Sequence, residues 1–260
     1  MTKTTNDTWN PAQYALFQEQ RSQPFFDLLA LVQPREAMRV LDLGCGTGEL
    51  TKYAHETLRA KETLGVDSSR AMLEKSAAFA SASLRFAHAD ISEFTPPAQF
   101  DLVLSNAALQ WLQDHARLLP RIASLVAEGG QLAIQMPANF DHPSHLVAKE
   151  VAREPSFRSL WKTEDRPVNV LRPEDYATIL NELGFQKQHV RLQVYGHLLR
   201  TRHHVVEWVK GTMLTAYKKD LSDRDYERFV ARYTEVLLPR LGASDPYFYA
   251  FKRILIWAKR

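Results

Sequence analysis

Five apolar runs of strand length punctuate the first 140 residues, at 39–43, 63–67, 84–87, 100–105 and 131–136. Short, nearly continuous apolar runs read as strands buried on both faces. The stretches between them repeat apolar residues at helical spacing. Alternation of strand and helix predicts a parallel sheet joined by right-handed crossovers. Upstream, Asn10 and Pro11 fit the cap and first position of a helix. A second, apolar helix is expected over 25–32. These N-terminal helices, within residues 1–34, are placed as a lid over the first strand-to-helix turn.

After Pro137 the pattern changes. Residues 142–154 read as a helix and 155–170 as an irregular insertion. A helix over 173–183 has Gly184 as its stop signal. Residues 188–199 alternate as a strand, 203–217 and 223–238 read as helices, and 248–258 form an aromatic-rich strand. The expected class is α/β: a seven-stranded sheet with helices on both faces. Residues 35–140 form its nucleotide-binding core. Residues 141–260 supply the rest of the sheet and helical insertions that cap its carboxyl edge, integrated with the core as one domain.

The first strand ends in Asp42-Leu43-Gly44-Cys45-Gly46-Thr47-Gly48. Glycines let a turn take positive φ and bring backbone against a ligand. The helix that follows presents free N–H groups favouring negative charge. The spacing is not the G-x-G-x-x-G of dinucleotide sites, which argues against a nicotinamide oxidoreductase. A purely structural turn is the plainer alternative. Cys45 reads as packing, not as a nucleophile. Asp67 ends the second strand 21 residues after Gly46. An acid there accepts from ribose hydroxyls, or with Ser68 and Ser69 caps the next helix. Met72 is an unbranched apolar side chain suited to lie under a flat ring. Asp90 just follows a strand and can accept from an exocyclic amine, with Ile91 flanking the ring, or it is an ordinary loop acid. Asn106, Gln110 and Trp111 are placed on the loop at the carboxyl end of the fourth strand.

This motif series resembles that of class I S-adenosylmethionine (SAM)-dependent methyltransferases. Trp9-Asn10-Pro11, Tyr14, Phe17, Arg21-Ser22, Pro24, Asp67-Ser68-Ser69, Ala71-Met72, Asn106-Ala107, Leu109-Gln110-Trp111-Leu112, Gln135-Met136-Pro137, Tyr195, His197, Trp208-Val209, Arg253, Ile256, Ala258 and Arg260 are similar to the pattern of the trans-aconitate 2-methyltransferase family. The resemblance implies a Rossmann-like class I methyltransferase sheet and SAM as cofactor. It implies that Asp42, Gly44, Cys45, Gly46, Asp67, Ser68, Met72, Asp90, Ile91 and Asn106 hold that cofactor. It further implies methyl transfer to a carboxylate of a small polycarboxylic acid. A carboxylate is already ionised at neutral pH, so no general base is expected. The acceptor residues should be donors that fix further carboxylates: Arg21, Gln110, Trp111, Tyr195, His197, Trp208 and Arg253. Arg21 is alternatively assigned to the carboxylate of SAM. Residues 155–170, Lys210-Gly211-Thr212 and Gly196 depart from the family pattern. A carrier-bound malonyl group, a natural-product acceptor, or a non-catalytic SAM-binding regulatory role are the alternatives.

Charge sharpens the acceptor reading. Residues 1–140 carry 12 Lys and Arg against 15 Asp and Glu, whereas residues 141–260 carry 21 against 15 and six of the nine histidines. That asymmetry suits a small anionic substrate under a basic cap, or a merely solvated surface. The net charge of +3 does not call for nucleic acid. No apolar run approaches the ~20 residues of a membrane span. A single cysteine and a polar start imply a cytoplasmic protein. His142 with His145, and His203 with His204, lack an evident third ligand, so no metal is expected. The pattern specifies no oligomeric state.

Overall fold

The computed structural model describes residues 18–161 and 168–260, with the side chains of residues 18–21 outside the description. Helix α1 (Gln18–Leu29) runs unbroken through Pro24, so the helix expected over 25–32 begins before that proline and ends at Leu29. β1 (Arg39–Leu43), α2 (Glu49–Thr57), β2 (Glu62–Asp67) and α3 (Arg70–Ser76) follow. Then come β3 (Leu84–His88), β4 (Phe100–Asn106), α4 (His115–Ser124) and β5 (Val126–Pro137). The chain continues through α5 (Pro143–Ala152), α6 (Pro173–Glu182), β6 (Lys187–Leu199), α7 (His203–Lys210), α8 (Asp223–Arg240) and β7 (Tyr247–Lys259).

The seven strands form one sheet in the order β3-β2-β1-β4-β5-β7-β6. β1 to β5 pair in parallel, and β7 pairs antiparallel to β5. The strand order reverses between β1 and β4. Ligands of open α/β sheets sit at that switch point, outside the carboxyl ends of the strands. β1 and β4 carry Val40, Leu41, Leu43 and Leu102, Val103, Leu104, all fully buried, as expected for strands covered on both faces.

Two expectations are corrected. Glu128-Gly129-Gly130 reads locally as a turn ahead of the fifth strand, but the two glycines do not form one. They lie inside β5, where the pairing to β4 shifts from Phe100↔Val126 to Leu102↔Gln131. The helix expected over 203–217 stops at Lys210 and resumes only as a short turn, Thr215–Lys218. Gly211 caps the first piece, and the Thr212 hydroxyl donates to the Trp208 carbonyl at 3.1 Å.

The chain divides into two compact units built from non-contiguous segments. The larger comprises Ser22–Ala138, Asn169–Gln193 and Lys252–Arg260, and it holds β1 to β5. The other takes the described residues of Asn139–Val168 and Val194–Phe251. Its core joins Val147, Val151, Trp208, Phe229, Tyr233 and Tyr249. Within it, α5 and α8 are further joined at the surface by Arg240–Glu150. Gly196 also has its reason here. A Cβ at this position would lie 2.4 Å from the Phe248 ring, so the glycine lets an aromatic side chain cross β6.

Candidate active site

The turn after β1 is built by three interlocking constraints. Gly44 has φ +83, and a Cβ there would lie 2.2 Å from the Ala108 Cβ on the segment after β4. Only glycine satisfies both the left-handed backbone and this approach. The N–H groups of Gly44 and Cys45 both donate to the Val66 carbonyl, at 2.8 and 3.0 Å, which ties the turn to β2. Asp67 completes the tie: Oδ2 accepts from the Gly46 N–H at 2.9 Å and Oδ1 from the Ser69 N–H at 2.8 Å. Asp67 therefore holds the glycine turn and the entry to α3 at once. Ser69, not Asp67, is the residue whose side chain caps α3, accepting from the Met72 N–H. Each carboxylate oxygen has a second lone pair, so capacity for a ligand remains.

Asp42 lies beneath this turn, fully buried. Thr51 Oγ1, from α2, donates to its Oδ2 at 2.6 Å, while its Oδ1 is enclosed without a hydrogen-bond partner. Burial, opposed by the Thr51 hydroxyl and reinforced by nearby Asp67, pushes its carboxyl up to about 7. Burial first, then Asp42 and Asp67, raise the Cys45 thiol. A thiol held protonated is a poor nucleophile, in keeping with a packing role. Met72 is buried, and Ser68 is exposed with its carbonyl 3.0 Å from His88 Nε2. Asp90 is exposed, and its side chain accepts from the Ser92 N–H at 2.8 Å. Ile91 approaches the Gly44 turn, its Cδ1 3.6 Å from where a Gly44 Cβ would stand.

The carboxyl end of β4 carries a second group. Asn106 is the last residue of the strand, not a loop residue as expected. With the Gln135 amide oriented as its neighbours require, its nitrogen donates to the Asn106 side-chain oxygen at 2.7 Å and its oxygen accepts from Arg253 Nη1 at 2.9 Å. Gln135 and Arg253 are both buried. Gln110 and Trp111 lie in a short 3₁₀ turn just beyond. Gln110 Nε2 donates to the Ala107 carbonyl at 2.6 Å, and its buried Oε1 has no partner. Trp111 is exposed. A brace holds this turn: His115 Nε2 donates to the Leu109 carbonyl at 2.9 Å while Nδ1 meets the Tyr176 hydroxyl of α6. A carbonyl only accepts, so Nε2 carries the proton and a neutral ring accepts from Tyr176. Burial lowers the His115 pKa and favours that neutral form.

In the other unit, Tyr195, His197 and Leu199 are the buried positions of β6, alternating with exposed neighbours. This is the shared face expected from a period of two. His197 packs on Trp208 with ring centroids 4.8 Å apart. Trp208 also meets Tyr249 and Phe251 and is part of the aromatic core. His142 and His145 both contact the Ser144 hydroxyl, at 2.9 and 3.1 Å. Burial takes His145 down to about 3. Among the described residues there is no cluster of three or more His, Cys, Asp or Glu suited to a metal ion. Likewise, no helix among them is long and apolar enough to cross a membrane. The lid residues Trp9, Asn10, Pro11, Tyr14 and Phe17, and the Arg21 side chain, lie outside the described residues. Sequence reasoning missed Thr51, Ala108, His115 and Tyr176 as supports of the site. It named Gln135 only as part of a family pattern. The one signal for Gln135 was an amide inside the apolar run Leu132–Met136.

Residues 17–190 match the model of a family described as a methyltransferase domain. A trans-aconitate 2-methyltransferase of Deinococcus radiodurans is 41% identical over 260 residues, covering 97% of this chain and 98% of its own. One of Escherichia coli is 35% identical over 254 residues, covering 97% and 98%. The chain belongs to the trans-aconitate 2-methyltransferase family. It is a SAM-dependent methyltransferase. Solved structures agree on the fold. The YcgJ protein of Bacillus subtilis matches with a TM-score of 0.60 at 15% identity, covering 91% of this chain and 97% of its own. A phosphoethanolamine N-methyltransferase 2 of Haemonchus contortus matches with 0.55 at 21%, covering 92% and 52%. The seven-stranded α/β sheet expected from the pattern is thus the sheet of this enzyme class.

The residues present fit the cofactor. The Gly44 turn leaves its backbone bare, with nothing within 4 Å of where a Gly46 Cβ would be. When ionised, the enclosed Asp42 carboxylate adds negative potential below it, suited to a cationic ligand.

Proposed function

We propose that this enzyme methylates a carboxylate of trans-aconitate, giving a monomethyl ester and S-adenosylhomocysteine. The observation that carries this reading is the full-length match to enzymes of that name, together with a glycine turn tied by Asp67. SAM supplies a methyl group already activated on a sulfonium. The acceptor oxygen forms the new C–O bond as the S–CH₃ bond breaks and its electron pair goes to sulfur; no proton moves. The protein is therefore asked to bind, orient and exclude water. In this reading Asp67 takes the ribose hydroxyls, with Ser68 beside it. Met72 and Ile91 flank the adenine and Asp90 takes its exocyclic amine. Gly44, Cys45 and Gly46 form the cradle, with Asp42 beneath, and Asn106 faces the methionine end. Arg253 takes an acceptor carboxylate that is not being methylated, beside Gln110 and Trp111.

The deciding test is S-adenosylhomocysteine release with a panel of small di- and tricarboxylic acids and carrier-bound malonyl groups. Turnover concentrated on trans-aconitate supports the reading. Turnover confined to carrier-bound acids overturns it. Arg253→Ala is expected to raise the acceptor KM about 10- to 100-fold, the loss of a charged hydrogen bond, while SAM affinity changes little. Equal effects on both would assign Arg253 to the cofactor or the fold.

Asp42 gives a pH prediction with a definite sign. Its carboxyl sits at about 7 in the fold against an ordinary 3.8. Between those values the unfolded chain has released this proton and the folded one retains it. Stability of the ligand-free protein should therefore fall as pH rises from about 4 to about 7 and level off above. A cationic ligand favours the ionised carboxylate, so SAM should bind more tightly as pH rises through about 7. Asp42→Asn should flatten both profiles, as read by thermal melts and calorimetry across pH. An unchanged slope in the variant would remove Asp42 from the account.

A further inference from the structure

Within the larger unit, β4, β5 and the part of β7 from Lys252 onward bring one polar side chain each to the same face of the sheet. Asn106 of β4 is directly opposite Gln135 of β5 in the parallel register. Gln135 is opposite Leu255 in the antiparallel pairing to β7, and Arg253 lies two residues along from Leu255. With side chains alternating at a period of two, Arg253 is the diagonal same-face neighbour of Gln135, within reach of long side chains. The backbone is pinned on both sides: the Ala107 N–H donates to the Gln135 carbonyl at 2.9 Å, and the Ala138 N–H donates to the Lys252 carbonyl at 2.9 Å. Gln135 itself is fully buried. Both ends of its amide are used, the nitrogen on Asn106 Oδ1 at 2.7 Å and the oxygen on Arg253 Nη1 at 2.9 Å and the Met136 N–H at 3.2 Å.

We propose that Gln135 is a positioning residue that sets Asn106 and Arg253 in one fixed relation, so that the cofactor-facing and acceptor-facing side chains are oriented by a single amide. This rests on the roles given above to Asn106 and Arg253. The chemistry of the link is selective. A buried amide must satisfy both its donor and its acceptor, and this one donates to a carbonyl oxygen on one side while accepting from a guanidinium on the other. A carboxylate would keep the guanidinium contact but face the Asn106 oxygen with a second acceptor. It would also neutralise the positive charge offered to an anionic acceptor. A thioether would serve neither neighbour. Gln135 does not touch substrate, so its loss should misplace binding groups without removing them.

The test uses Gln135→Met, Gln135→Glu, Arg253→Met and the Gln135→Met/Arg253→Met pair in the full-length enzyme. Acceptor KM and kcat are measured at saturating SAM, SAM affinity by calorimetry, and folding by thermal melts. Both Gln135 variants are expected to raise the acceptor KM roughly tenfold, the scale of one lost buried hydrogen bond. SAM affinity should fall as well, through the misplaced Asn106, but only about threefold, because the Gly44 turn and Asp67 still hold the cofactor. Gln135→Met should add little to Arg253→Met, because the two act through one contact. If Gln135→Met fails to fold, the near-isosteric Gln135→Glu carries the test alone. Folded Gln135 variants with wild-type KM, beside an Arg253→Met that raises it, would overturn the positioning role and leave the function standing. Full additivity in the double variant would overturn it too. An Arg253→Met with unchanged KM would overturn the acceptor role of Arg253 and, with it, this inference.

Discussion

Gly44→Ala should abolish measurable SAM binding while the sheet still folds. The new Cβ would lie 2.2 Å from the Ala108 Cβ, and the backbone would be held at φ +83. The overlap is between a turn anchored by two hydrogen bonds to Val66 and a segment that follows β4 directly, so neither side yields without losing its own contacts. The two terms can be separated. Ala108→Gly in the Gly44→Ala background removes the overlap and leaves only the left-handed backbone cost, on the order of 1–2 kcal/mol. The double variant should therefore recover most SAM affinity, to within about 5- to 30-fold of the parent. If Ala108→Gly restores nothing, close approach to Ala108 is not what Gly44 provides. If Gly44→Ala alone binds normally, the turn is not the cofactor cradle.

The pattern of apolar runs places the first four strands nearly residue for residue, because strands buried on both faces leave an unambiguous signal, whereas the fifth, expected over 131–136, begins already at Val126. The pattern places β1 at 39–43, and the strand is Arg39–Leu43. Features that depend on a partner elsewhere in the chain were not legible. Gly129-Gly130 looks like a turn locally, but the pairing of β4 with β5 draws it into a strand with shifted register. Pro24 looks like a helix boundary, yet α1 passes through it. Glycines, acids and strand ends marked the cofactor side of the site, since backbone conformation and ribose chemistry restrict which residues serve there. The supports were silent in sequence: Thr51 under Asp42, His115 and Tyr176 under the Gln110 turn, and Gln135 between Asn106 and Arg253. Each is an ordinary residue whose role exists only once two distant segments meet. The same holds for Asp67. To its two candidate tasks, ribose acceptor or helix cap, the structure adds a third, holding the Gly46 N–H.

That third task makes Asp67→Ala more damaging than loss of ribose contacts alone. The substitution removes the acceptor for any ribose hydroxyl and also frees the N–H groups of Gly46 and Ser69, held at 2.9 and 2.8 Å. Hydrogen bonds to a charged group contribute about 1.5–3 kcal/mol each, so SAM affinity should drop at least 10- to 100-fold. Asp67→Asn separates the tasks. Its one carbonyl oxygen can hold either Gly46 or Ser69, but its NH₂ opposes the other backbone donor, so this variant should sit between wild type and Asp67→Ala. The acceptor KM at saturating SAM should stay near wild type in both, because Asp67 is at the end of β2 and the proposed acceptor residues are on β7 and the turn after β4. Calorimetry of SAM with the three proteins measures the series. An Asp67→Ala that binds SAM as wild type does would mean that the acid serves the turn only and that the ribose is held elsewhere.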